Sequence, residues 1–80
     1  MTVREFMEMC APDVLIIIRH PIYDEDGNFM EYYAEPNTCY NDAMGLKIPG
    51  KDLDRRIVGI GIKDMPANRT ATVLDTVKGG

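Results

Sequence analysis

The sequence has no tryptophan, one histidine and two cysteines, and its longest unbroken apolar run is the five residues from Val14 to Ile18. That run is far short of the roughly 20 residues a membrane span needs, and no basic stretch leads into an apolar one at the N-terminus. An intracellular, cytoplasmic protein is expected. Cys10 and Cys39 lie 29 positions apart without a Cys-x-x-Cys pair, which argues against a disulfide framework and a zinc knuckle and for reduced thiols. The Asn68-Arg69-Thr70 triplet then has no glycosylating compartment to act in.

What is present describes an ordinary small globular chain. Eighty residues suffice for one domain, residues 1–80, and 45% hydrophobic with 28% charged residues supports a thin core rather than disorder. The net charge of −4 is unevenly spread. Residues 1–46 carry nine acids against Arg4 and Arg19, whereas residues 47–80 carry four acids against seven bases. Such asymmetry bears on partners and steering, since an acidic face repels nucleic acid and attracts basic surfaces.

Thr2 followed by Glu5 reads as a capping box opening a helix over Val3 to Cys10, with Val3, Phe6, Met7 and Cys10 on one apolar stripe. Pro12 ends it. Asp13 to Arg19 is β-branched and apolar enough for a central strand buried on both faces, and Phe29 to Ala34 reads as a second strand at or near an edge. Asp26-Gly27-Asn28 supplies turn chemistry between them. Residues 35–48 read as a long loop, "PGKDLDRR" as one helical turn with Leu53 inward, and Ile57 to Ile62 as a strand. In that strand glycines alternate with isoleucines, leaving one face bare enough for close approach of a helix or backbone. "DMPAN" is a turn, and Thr70 to Val77 a final strand. The expected fold is α+β: an N-terminal helix packed on a small, mainly antiparallel sheet of three or four strands.

The segment "YDEDGNFMEYYAE" places Asp24, Asp26, Asn28 and Glu35 at positions 1, 3, 5 and 12 of a calcium-loop frame. A calcium or other metal module is therefore one reading. Position 6, which needs a glycine, is Phe29, and Pro36 follows Glu35 where a helix should begin, so a hairpin accounts for the residues with fewer exceptions. His20 with Cys10 and Cys39 carries no zinc spacing and reads as a structural histidine at a strand end. Cys39 is the better candidate for an exposed thiol, but no base adjoins it. Gly59-Ile60-Gly61 lacks the third glycine and helix start of a phosphate loop. Lys51, Arg55, Arg56 and Lys63 allow a nucleic-acid-binding accessory domain, with interleaved Asp52 and Asp54 opposing them. Lys78-Gly79-Gly80 resembles a ubiquitin-like di-glycine tail, but the leading helix does not fit that fold, and a flexible end is expected. No nucleophile, base and oxyanion donors assemble, so enzymatic activity, cofactor and bound metal are not expected.

Tyr23, Tyr32, Tyr33 and Tyr40 belong to or flank the acidic segment, and rings beside carboxylates suit a protein-binding surface. Alternation puts Tyr32 and Tyr33 on opposite faces, so at least one should be exposed. The expected partner-binding set is Tyr23, Asp24, Glu25, Asp26, Glu31, Tyr33, Glu35, Tyr40 and Asp42.

The opening "TVREFMEMC", the "DEDGN" hairpin and "IPGKDLDRRIVGIGI", with Ile48, Pro49, Leu53 and Val58 as its fixed points, resemble the short α+β proteins of Firmicute phages and integrative elements. The resemblance covers residues 2 to 63; the longer loop at 35–48 and the tail depart from it. It brings no catalytic residues. It implies a small acidic mobile-element protein that occupies a host protein's surface, as anti-CRISPR inhibitors do when they block nucleic-acid sites. The expected partner is a larger host protein with a basic, nucleic-acid-handling surface, with no direct nucleic acid and no membrane.

Overall fold

A computed structural model describes residues 1–11, 13–34, 39–40 and 47–79. Helix α1 (Val3–Met9) is followed by strands β1 (Ile16–Tyr23) and β2 (Phe29–Tyr33), a one-turn helix α2 (Gly50–Leu53), and strands β3 (Arg56–Met65) and β4 (Arg69–Val77). The four strands form one sheet in the order β2-β1-β4-β3. The architecture is α+β, as the sequence implied. The sheet is mainly antiparallel, through β1–β2 and β3–β4, and is mixed because β1 and β4 run parallel, with Ile16 opposite Thr72 and Arg19 opposite Asp75.

Hydrophobic content explains that arrangement. β4 buries Ala71 and Val73 on one face and Leu74 on the other, whereas β3 carries Gly59 and Gly61. The strand with side chains to pack on both faces takes the centre beside β1, and the glycine-bearing strand goes to the edge. Returning from β3 by a tight turn then leaves β4 parallel to β1.

β1 is central and doubly buried, but it begins and ends later than the apolar run. Its ladder starts where β4 supplies partners and continues to Tyr23 because β2 supplies them beyond Arg19. Pro21 lies past the last β1–β4 pair, so its missing N–H leaves no gap in that ladder. Ile16 and Ile18 join Val3 and Leu74 beneath α1, while Leu15 and Ile17 join Ala71 and Val73 on the opposite face.

The N-terminus is anchored. Thr2 accepts the Glu5 amide, and Glu5 accepts the Thr2 amide at 3.0 Å, completing the capping box. Val3 N–H donates to Arg55 O at 3.0 Å, and Ile57 N–H to Met1 O at 2.8 Å. Leu53 and Ile57 pack against the cluster under α1, as does half-buried Tyr40, whose backbone exchanges two hydrogen bonds with Ile16.

Three local expectations change. The close approach allowed by the bare face of β3 comes from the Asp75 side chain over Gly59 rather than from a helix or backbone. Ile60 and Ile62, on the bulkier face, are 61% and 79% exposed because α1 does not reach the outer edge. Gly79 lies against the Asp54 carbonyl, closely enough that a Cβ would collide with it, so the tail is docked through Gly79 rather than loose.

Candidate functional site

The β1–β2 connection is a hairpin. Tyr23 pairs with Phe29 and His20 with Tyr33, with a bulge between Ile22 and Tyr23. Asp24 organises the tip: one carboxylate oxygen accepts the amides of Asp26 at 2.9 Å and Asn28 at 2.8 Å, while the other faces the Asn28 side-chain amide. Those donors hold the Asp24 carboxyl below its ordinary range, led by the Asn28 backbone amide. Gly27, at φ +85°, takes the left-handed position of the turn.

With Asp24 bound into the turn, the remaining carboxylates divide clearly. Glu25, Asp26 and Glu31 are exposed and make no side-chain hydrogen bond or ion pair among the described residues. Beside them an aromatic row runs along the strands. Tyr23 and Phe29 meet edge to face with centroids 6.3 Å apart, Phe29 stacks at a tilt on Tyr32 at 4.9 Å, and the Arg19 guanidinium lies 5.8 Å from the Tyr32 ring centre. Tyr23, Phe29, Met30 and Tyr33 are all exposed, each roughly by half or more. Tyr32 is half-buried and Tyr33 exposed, as alternation requires.

Of the expected binding residues, Tyr23, Asp24, Glu25, Asp26, Glu31 and Tyr33 share this hairpin. Tyr40 sits apart, half-buried against the α1 side of the core. Glu35 and Asp42 fall outside the described residues, as does most of the loop at 35–48. Phe29 and Met30, outside the expected set, are exposed on the same hairpin, which no helix among the described residues covers.

The other candidates separate. Lys51 and Arg55 line one cavity, Lys63 lines another, and Arg56 lines neither. Cys39 is half-buried against Leu15 and Ile17 rather than displayed, and Cys10 is a free thiol whose pKa is raised by burial. His20 donates through Nε2 to the buried carboxylate of Asp52 at 3.1 Å, a pairing across 32 residues that no local spacing announces. Among the described residues, no three His, Cys, Asp or Glu side chains are grouped to hold a metal ion, and no helix is long and apolar enough to cross a membrane.

Compared with family models, curated proteins and solved structures, this chain matches none.

Proposed function

We propose that this is a non-enzymatic interaction protein, of the mobile-element kind that its motifs resemble, which presents the β1–β2 hairpin to a basic groove on a larger nucleic-acid-handling protein. The observation that carries the reading is the division among the hairpin carboxylates: Asp24 is bound into the turn, while Glu25, Asp26 and Glu31 stand unpaired beside exposed Tyr23 and Phe29. Unpaired carboxylates held on a hydrogen-bonded turn can stand where phosphates would, and the neighbouring rings add contact area at small entropic cost. Competition with nucleic acid is the mechanism this supports, with association steered by charge and weakened by salt.

The test compares the wild-type chain with a Glu25→Gln, Asp26→Asn, Glu31→Gln variant in capture from nuclease-treated host lysate across a salt series. A nucleic-acid-binding protein retained by the wild type at low salt, released at high salt and absent from the variant supports the reading. Identical retention by both chains rejects it. With the captured protein in hand, the variant should associate about tenfold more slowly, with a smaller change in dissociation.

A further inference from the structure

On the other flank of β1, a cavity of about 390 Å³ is lined by His20, Lys51, Asp52, Asp54, Arg55, and Lys78 with Gly79. Its acids already have partners. Asp52, 6% exposed, accepts from His20, and Asp54 pairs with Arg4 at 3.2 Å, a residue outside the lining. Its cations are in a different position. Lys51 and Lys78 are exposed and have no ion partner among the described residues. Arg55 is fixed without being neutralised: its Nε donates to Thr76 Oγ1 at 2.8 Å and one terminal nitrogen faces the Thr76 carbonyl at 3.5 Å, so both acceptors are uncharged. Thr76, fully buried, is itself held by donating to Arg19 O at 2.8 Å.

We infer that this cavity is an anion site for a phosphate-type dianion, either free phosphate or the phosphoryl end of a small phosphomonoester. Three cations line one concavity: a guanidinium held by a buried hydroxyl and two exposed ammonium groups. The terminal N–H groups of the guanidinium that Thr76 does not take suit oxygen atoms of a tetrahedral anion, and the lysines close on it as point charges. The volume exceeds that of a bare phosphate and leaves room for a small attached group. Gly79, seated on the Asp54 carbonyl, positions Lys78 at the rim, which gives the docked tail a role. The site shares His20 with the base of the hairpin but none of the exposed carboxylates at its tip, so its fate does not decide the proposed function.

Titration of the isotope-labelled chain with inorganic phosphate, and separately with ribose 5-phosphate, followed by NMR, tests the inference. Saturable shifts at Lys51, Arg55, Lys78 and the His20 ring are expected, with a dissociation constant of about 1 mM. Lys51→Ala with Lys78→Ala, at two exposed positions, should weaken binding by about tenfold or more, and Asp54→Asn should strengthen it by a few fold through removal of like charge. Tighter binding of the sugar phosphate than of phosphate identifies the monoester as the ligand form, and equal affinity identifies the free anion. No saturable shift up to roughly 20 mM, or an unchanged affinity in the double-lysine variant, overturns the assignment.

Discussion

Arg19 and Asp75 stand opposite each other in the parallel β1–β4 ladder, joined by a two-pronged pair from Nε and Nη2 to the two carboxylate oxygens, the second at 2.9 Å. The pair is partly shielded and lies between bare Gly59 and the ring of Tyr32. Its hydrogen bond to Asp75 is the main reason the Arg19 pKa lies above its ordinary value. Asp75→Ala leaves a half-buried guanidinium without its acceptor and should lower unfolding free energy by about 1–3 kcal/mol in urea denaturation. Removing both partners as Arg19→Met with Asp75→Leu should cost less than the two single changes summed.

Ala67 and Asn68 both adopt the left-handed region, at φ 64° and 58°. Asparagine tolerates that conformation, but alanine carries a Cβ penalty. Ala67→Gly is expected to raise stability by about 0.5–1 kcal/mol, read as a higher urea midpoint with an unchanged slope.

Two surface carboxylates tie stability to acid pH. Glu5 is held below its ordinary 4.5, chiefly by the Thr2 amide, and Asp24 below its ordinary 3.8, chiefly by the Asn28 amide. Both folded values are depressed, so their stabilisation is complete above the ordinary values and disappears as pH falls through the folded ones. Melting temperature should therefore drop more steeply below about pH 4.5 in the wild type than in a Glu5→Gln, Asp24→Asn variant.

The hairpin carboxylates should split into two kinds. Glu25→Gln, Asp26→Asn and Glu31→Gln, at exposed positions without internal partners, are expected to change stability by less than about 0.5 kcal/mol each. Asp24→Ala should cost more than any of these, by removing the acceptor for two tip amides. Chemical denaturation of the four single variants makes the comparison.

Ile62 on the β3 edge is a solubility liability rather than a core residue. Ile62→Lys should leave unfolding free energy within about 0.5 kcal/mol and raise the concentration at which light scattering appears.

Features encoded within a few residues were legible in the sequence. The capping box at Thr2 and Glu5, the turn at Asp26-Gly27-Asn28 and the apolar stretch at Val14 to Ile18 each depend on near neighbours. The parallel pairing of β1 with β4 was not legible, because strand order depends on which of β3 and β4 offers side chains to both faces, a comparison between segments rather than a property of either. Asp52 was hidden for a related reason. It reads as one of two acids diluting a basic turn until the fold carries β1 past α2 and sets His20 against it. Local spacing likewise gave no sign that Asp24 serves the turn while its neighbours do not.

β1 changes partners part-way along its length: from Ile16 to Arg19 it is bound to β4, and from His20 onward only to β2. The hairpin is thus an arm whose backbone pairs with the rest of the sheet through one strand, tied to the domain besides by His20 on Asp52 and by Ala34 against the Leu15 and Ile17 cluster. Amides of β2 should exchange with solvent at a lower opening free energy than those of β4, because the arm can part from β1 without disturbing the core. A hairpin tip mounted this way can be rewritten residue by residue while the domain beneath it keeps its stability.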